Sequence, residues 1–201
     1  MQQISKKLFF MFSLNLATCV SAFQINVIQV HKIEEQNWKQ LKDLFVGVFS
    51  QAYKHIDVRD INSNFDTTEH YLESLFDVDC RNVDKLNFDF ILATEEQEII
   101  GYILSCYCTE EKTAYIHHLV IDGNKQNKGI GKKLIKACED LYNEACFVSL
   151  STRTFNDKAI GFYKHLGFYE TSFAPEIAYV IRPNAKNNPQ IVNLEKAIQR
   201  V

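Results

Sequence analysis

The stretch from residue 112 to 145 limits the possible folds more than any other part of this chain. A β-forming apolar run, KTAYIHHLVI (112–121), is followed by a polar turn that contains Gly129 and Gly131. From Gly129 onward, apolar residues recur every three to four positions, which predicts a helix over 129–145. A strand, a glycine-containing turn and a helix in this order predict a crossover to a parallel neighbouring strand.

The turn also predicts a binding site for an anion. The N–H groups in the first turn of a helix have no partner within the helix, and the helix dipole places partial positive charge at the same end. Phosphate groups therefore bind well at such positions, and glycine lets the backbone approach the phosphate oxygens closely. We expect a phosphate-bearing ligand at Gly129 and Gly131.

The rest of the chain predicts an α+β fold, with a mixed, mostly antiparallel central sheet and flanking helices. Apolar periodicity and turn residues predict strands over 23–30, 87–94, 98–108, 112–121, 146–152, 168–172 and 176–182, and helices over 34–53, 67–76, 129–145 and 156–165. Residues 183–201 are polar and predict an appended C-terminal tail, so the expected domain spans 23–182.

Two common phosphate-binding motifs do not fit the turn. A Walker A loop would need glycine where Gln126 stands and Ser or Thr where Lys133 stands. A dinucleotide fingerprint would need a third glycine at Leu134 and an early βαβ unit, whereas this unit follows three strands of antiparallel type.

A third motif fits. The segment QNKGIG (126–131) resembles the Q/R-x-x-G-x-G/A motif of the GNAT superfamily of N-acetyltransferases. A second segment, NDKAIGFYKHLGF (156–168), is similar to the N-x-x-A-x-x-F-Y-x-x-x-G-F stretch of the same superfamily. The two motifs have the right order and separation, and the resemblance covers roughly residues 25–182.

The resemblance implies that acetyl-CoA binds as co-substrate. The backbone of the strand before the turn would pair with the pantetheine arm and the thioester, and the amides of the turn would hold the pyrophosphate. The implied binding residues are Leu119, Val120, Ile121, Gln126, Lys128, Gly129, Ile130, Gly131 and Lys132. Asn156 would cap the next helix and face the CoA arm.

The resemblance also implies direct transfer of the acetyl group to a primary amine in a ternary complex. Tyr163 matches the tyrosine that protonates the departing thiolate in this superfamily. An attacking amine must lose a proton, and the strand offers His117 and His118, which alternation places on opposite faces. Other carriers for this proton are Glu69, Glu73 or ordered water. The alternative function is a non-catalytic acyl-CoA-binding module on the same fold.

Charge and cysteine spacing restrict the partners. The formal net charge of −3 and the pI of about 6.1 give no support for nucleic-acid binding. Six cysteines are present, but Cys106 and Cys108 have no second Cys or His pair at zinc-site spacing, so no metal is expected. An amine acceptor is the expected partner besides acetyl-CoA, and a homodimer is an open expectation.

Residues 1–22 resemble a secretory signal peptide. Lys6 and Lys7 precede an apolar run from Leu8 to Val20, and small residues follow up to Ala22. Export would conflict with the need for acetyl-CoA, which is expected inside cells, so the sequence leaves localisation open between the cytosol, an anchored form and export. Contact with a membrane is expected only through residues 1–22, if they are retained.

Overall fold

The computed structural model describes residues 23–29, 33–82, 87–181 and 188–200. Within these ranges a seven-stranded sheet has the order β1-β2-β3-β4-β5-β7-β6. Its strands are β1 (Gln24–Gln29), β2 (Asp89–Glu95), β3 (Glu98–Cys108), β4 (Thr113–Ile121), β5 (Phe147–Arg153), β6 (Tyr169–Thr171) and β7 (Ile191–Ala197). Neighbouring strands are antiparallel except β4 and β5, which are parallel. The predicted mixed, mostly antiparallel sheet with flanking helices is confirmed.

Helices cover both faces of the sheet. They are α1 (Glu35–Tyr53), α2 (Thr68–Asn82), α3 (Ile130–Leu141), α4 (Asp157–His165) and α5 (Glu176–Ile181). Alternate residues of β3 point to the two sides, so Tyr102 and Leu104 pack with α1 and α2 while Ile103 packs on the α3 side. Burial of the apolar stripe of each helix against the sheet produces two cores, one on each face.

Strands β4 and β5 separate partway along their length. Their pairing runs from Thr113 opposite Phe147 to Ile116 opposite Leu150, yet both strands continue beyond these residues. Helix α3 connects the two strands and begins just beyond the end of β4. The divergence opens a cleft in the sheet beyond Ile116 and Leu150.

Two predictions for the C-terminal part need correction. The predicted strand over 176–182 is wrong, since Glu176–Ile181 is helix α5, with Ala178 buried and Val180 56% exposed. The side-chain spacing of this apolar segment suits a strand, but Pro175 precedes it directly, and proline favours the start of a helix.

The expected tail 183–201 contains β7, which lies inside the sheet between β5 and β6. The polar side chains of β7 hide the apolar alternation of a strand, and they are tolerated in the sheet because side chains of neighbouring strands form hydrogen bonds with them. Asn193 accepts a hydrogen bond from Ser151 Oγ at 2.8 Å, and Glu195 accepts one from the Tyr169 hydroxyl at 2.7 Å. The sheet therefore extends well past residue 182.

Leu194→Ala tests the place of β7 in the core. Leu194 is fully buried and pairs with Leu150 and Glu170, so truncation is expected to lower the free energy of unfolding by about 2–5 kcal/mol. Urea denaturation measures the change. Val192→Ala, at a half-buried position two residues earlier, is the control and should cost clearly less. Equal, small effects at both positions would contradict the packing of β7.

No helix in the described ranges is long and apolar enough to cross a membrane. The predicted signal-like segment, residues 1–22, lies outside the described residues.

Candidate active site

The cleft between β4 and β5 is lined by residues of the strand before the glycine turn and of the second sequence motif, whereas the turn itself (126–131) does not line it. Its walls come from α1, β4, β5 and α4, and they include Phe45, Phe49, Tyr53, Tyr115, His117, His118, Leu119, Leu150, Ser151, Arg153, Asn156 and Tyr163. A larger surface cavity of about 380 Å³ lies along β6 and β7, but none of the predicted site residues lines it. The cleft is therefore the candidate active site.

The glycine turn is shaped by two different constraints. Gly129 precedes α3 with φ of +79°, a left-handed conformation that favours glycine, and no side chain caps the helix. Gly131 is confined by packing instead, because an added Cβ would lie 2.8 Å from the Phe162 ring and 2.9 Å from Ile121 Cδ1. The turn thus keeps backbone amides at the helix start while α3 packs closely on α4.

Gln126 connects the turn to its surroundings. Its Nε2 donates a hydrogen bond to the carbonyl of Ile121 at 3.1 Å, and its Oε1 accepts one from Lys158 Nζ at 2.6 Å. The side chain thereby ties the turn to the end of β4 and to the first turn of α4. Lys128 and Lys132 are exposed at the same end of α3.

Gly131→Ala is expected to destabilise the turn. The new methyl group must displace the Phe162 ring and Ile121, and such overpacking costs about 1–3 kcal/mol. Gly161→Ala is the matched control, since an added Cβ in α4 meets nothing within 4 Å and should stabilise the helix by about 0.4–1 kcal/mol. Thermal and urea denaturation of both variants check the prediction, and a neutral Gly131→Ala would contradict it.

The N-cap of α4 and two residues of the helix, Ala159 and Tyr163, line the cleft. Asn156 is the N-cap of the helix, as predicted, and its Oδ1 accepts a hydrogen bond from the backbone N–H of Ala159 at 3.4 Å. Tyr163 lies one to two turns later, with its ring in edge contact with Phe162 and Phe168. Burial raises the pKa of Tyr163 well above its usual range, so the phenol stays protonated at neutral pH.

The two histidines do not lie on opposite faces of β4, and that prediction is wrong. In the pairing of β3 with β4, Leu104 faces His118 and Ser105 faces Ile116, so His117 is an extra residue in a β-bulge. The bulge breaks the alternation of side chains. The imidazole rings of His117 and His118 are consequently stacked, with centroids 4.6 Å apart and planes 20° apart.

Both histidines approach one buried carboxylate that the sequence motifs did not indicate. Asp79 Oδ2 lies 2.8 Å from His118 Nε2 and 3.2 Å from His117 Nε2. The three side chains are only 1–3% exposed. Asp79 reaches this position because α2 continues to Asn82, beyond the predicted end at 76.

The sequence does contain a signal for Asp79. Leu72, Phe76 and Asp79 follow helical spacing, so the carboxylate lies on the buried face of α2. A buried acid on an apolar stripe needs a partner, and the neighbouring histidines provide it. By contrast Glu69 and Glu73 are exposed on α2 and do not line the cleft.

A tyrosine completes the group around His118. The hydroxyl of Tyr102 lies 3.4 Å from His118 Nδ1, and burial raises the pKa of this tyrosine far above its usual range. The phenol is therefore the hydrogen-bond donor to Nδ1, and Nε2 of His118 then carries the proton that faces Asp79. Both ring nitrogens of His118 therefore have hydrogen-bond partners. His117 is stacked beside it on the wall of the cleft.

Comparison with known proteins agrees with the motifs and the sheet. The model of the acetyltransferase (GNAT) family matches residues 38–168, and this chain belongs to that family. No curated protein sequence matches the chain significantly.

Solved structures share the fold at low sequence identity. The PaiA N-acetyltransferase of Thermoplasma acidophilum, in complex with coenzyme A, is 16% identical with a TM-score of 0.61, covering 87% of this chain and 99% of that one. A GNAT-family acetyltransferase of Staphylococcus aureus Mu50 is 18% identical with a TM-score of 0.59, covering 88% and 100%. An acetyltransferase of Thermus thermophilus is 14% identical with a TM-score of 0.58, covering 87% and 97%.

Proposed function

We propose that this protein is an N-acetyltransferase that moves the acetyl group of acetyl-CoA to a primary amine of a small molecule or peptide. The amine attacks the thioester directly while both substrates are bound. The observation that carries the proposal is the cleft between β4 and β5, whose lining includes both His117 and Tyr163.

The binding of acetyl-CoA is supported by the geometry of β4 and α3. The pairing of β4 with β5 ends at Ile116, and the backbone of Leu119, Val120 and Ile121 beyond this point is the proposed partner of the pantetheine arm. The amides from Gly129 to Gly131 are the proposed ligands of the pyrophosphate, supported by their position at the start of α3, and exposed Lys128 and Lys132 add positive charge. A structural relative is in complex with coenzyme A.

His117 is the proposed acceptor of the proton from the amine. Its Nε2 lies 3.2 Å from Asp79 Oδ2, and the charge of this carboxylate favours a proton on Nε2, so the lone pair of Nδ1 can accept a second proton. Asp79 then acts as a positioning residue, since its charge fixes the tautomer of His117 and stabilises the imidazolium. This assignment separates His117 from His118, whose Nδ1 faces Tyr102.

Tyr163 is the proposed acid. The amine nitrogen bonds to the carbonyl carbon and forms a tetrahedral oxyanion. When the carbonyl re-forms, the bond from that carbon to sulfur breaks and CoA leaves as a thiolate. The phenol of Tyr163 gives its proton to the sulfur. Burial keeps this side chain protonated, although the same rise in its pKa makes the phenol a weaker acid. A backbone N–H group of β4 is the proposed donor that stabilises the oxyanion.

A panel of amines tests the proposed function. Release of CoA is followed with alkylamines, arylalkylamines, polyamines, aminoglycosides and peptides with free N-termini or lysines. Release that depends on at least one amine, with the acetylated amine identified by mass spectrometry, is the expected result. Tight binding of acetyl-CoA without transfer to any amine would overturn the proposal and favour a non-catalytic acyl-CoA-binding module.

A further inference from the structure

We propose that Asp79, His117 and His118 bind one divalent transition-metal ion of the Zn²⁺ class, and that the bound ion suppresses acetyl transfer. The metal site rests on the three side chains alone. The suppression rests in addition on the proposed function of His117.

The ligand atoms of the three side chains already converge. One oxygen of Asp79 and one nitrogen from each histidine all lie within 4.8 Å of one another. Metal–ligand distances of about 2.0–2.2 Å in a tetrahedral site place neighbouring ligand atoms about 3.4 Å apart. The contacts of 2.8 Å and 3.2 Å from Asp79 Oδ2 to the two Nε2 atoms must lengthen slightly, and the two stacked rings must tilt apart so that the lone pair of each Nε2 points at the ion. Two imidazoles and one carboxylate are a set that zinc commonly uses.

The surroundings hold the ligands in this arrangement. The bulge in β4 brings two adjacent histidines to the same side of the strand, which regular alternation would prevent. When Nε2 of His118 binds a metal, the proton moves to Nδ1, and the hydroxyl oxygen of Tyr102 is placed to accept a hydrogen bond from it. A second hydrogen-bond partner of this kind orients histidine ligands in metal sites.

The cleft is the side from which an ion reaches the site. Both histidines line the cleft while Asp79 does not, and the three side chains are only 1–3% exposed, so a fourth ligand such as water must enter from the cleft as the rings tilt apart. The site also differs from what cysteine spacing indicated, because its ligands come from α2 and β4 and contain no thiol. The adjacent cysteine in the chain, Cys80, has a pKa raised by burial and is a poor source of thiolate.

Metal binding would remove the proposed base. An ion on Nε2 of His117 forces the ring proton onto Nδ1, which then cannot accept the proton of the amine. The pyrophosphate-binding turn lies on α3 and does not contribute a ligand. The ion should therefore lower kcat without preventing acetyl-CoA from binding.

Titration of the metal-free full-length protein with Co²⁺ tests the site. Visible ligand-field absorption that saturates at one ion per chain and disappears on adding Zn²⁺ is expected. Asp79→Asn and His118→Gln should weaken binding at least tenfold, while His70→Gln, an exposed histidine on the same helix as Asp79, should leave it unchanged. Far-ultraviolet circular dichroism establishes that each variant is folded. If either buried variant fails to fold, Tyr102→Phe is used instead and should weaken binding about tenfold.

The outcomes are decisive for each half of the proposal. Absence of the visible band in the wild type, a strong thiolate charge-transfer band, or unchanged binding in the folded variants overturns the metal site. If Co²⁺ and Zn²⁺ bind but acetyl transfer proceeds at an unchanged rate, only the suppression is overturned. If no amine is acetylated at all, the proposed function fails while the absorption titration still tests the site.

Discussion

His117→Gln is expected to lower kcat for acetyl transfer by about 10²–10⁴-fold, the usual effect of removing a general base. Glutamine keeps a polar side chain in the cleft but cannot take a proton from the amine. The glycine turn, which is the proposed pyrophosphate-binding segment, lies outside β4, so the dissociation constant for acetyl-CoA should stay close to that of the wild type. Steady-state kinetics with a metal chelator present, combined with calorimetric titration of acetyl-CoA, measure both quantities.

Asp79→Asn should show the same pattern in a weaker form. The amide cannot stabilise the imidazolium of His117, so kcat falls while acetyl-CoA binding is kept. His70→Gln is the control for histidine loss on the protein surface and should retain full activity. If His117→Gln keeps kcat within about twofold of the wild type, His117 is not the base.

Tyr163→Phe is the second substitution that is expected to lower kcat strongly. The substitution removes one oxygen and keeps the ring contacts with Phe162 and Phe168, so the fold should be preserved. Without its acid the thiolate of CoA must leave unprotonated, and kcat is expected to fall by about 10²-fold or more. The rate of CoA release at saturating substrates measures this effect.

The matched control is Tyr169→Phe. Tyr169 lies on β6, is partly exposed and donates a hydrogen bond to Glu195, away from the cleft. Its loss should leave kcat unchanged. A Tyr163→Phe enzyme as fast as the wild type would mean that solvent, and not the phenol, protonates the sulfur.

Local sequence patterns predicted the fold class and the elements that shape the cleft. The apolar run of β4, the turn at Gly129 and the helix stripe that follows are each encoded within a few residues, so periodicity and turn chemistry were sufficient. The cap at Asn156 was predictable for the same reason. The two motifs predicted membership of the GNAT family, which the match to the family model confirms.

Features that depend on contacts distant in sequence were not predictable. The bulge at His117 arises from the register between β3 and β4, which the sequence of β4 alone does not reveal. Asp79 is 39 residues from His118 in the chain, and no local pattern joins a helix carboxylate to a strand histidine. Strand β7 was missed because hydrogen bonds from neighbouring strands satisfy its polar side chains, and these mask its alternation.

One measurement tests the central claim of direct acetyl transfer in this cleft. Rapid-quench single-turnover experiments use acetyl-CoA labelled in the acetyl group and the amine found by the panel, with intact-protein mass spectrometry at each time point. We predict that label moves from CoA to the amine with no acetylated protein at any time, and that Tyr163→Phe slows this step. Labelled protein that forms before the amine is added and then passes its acetyl group to the amine would contradict the account.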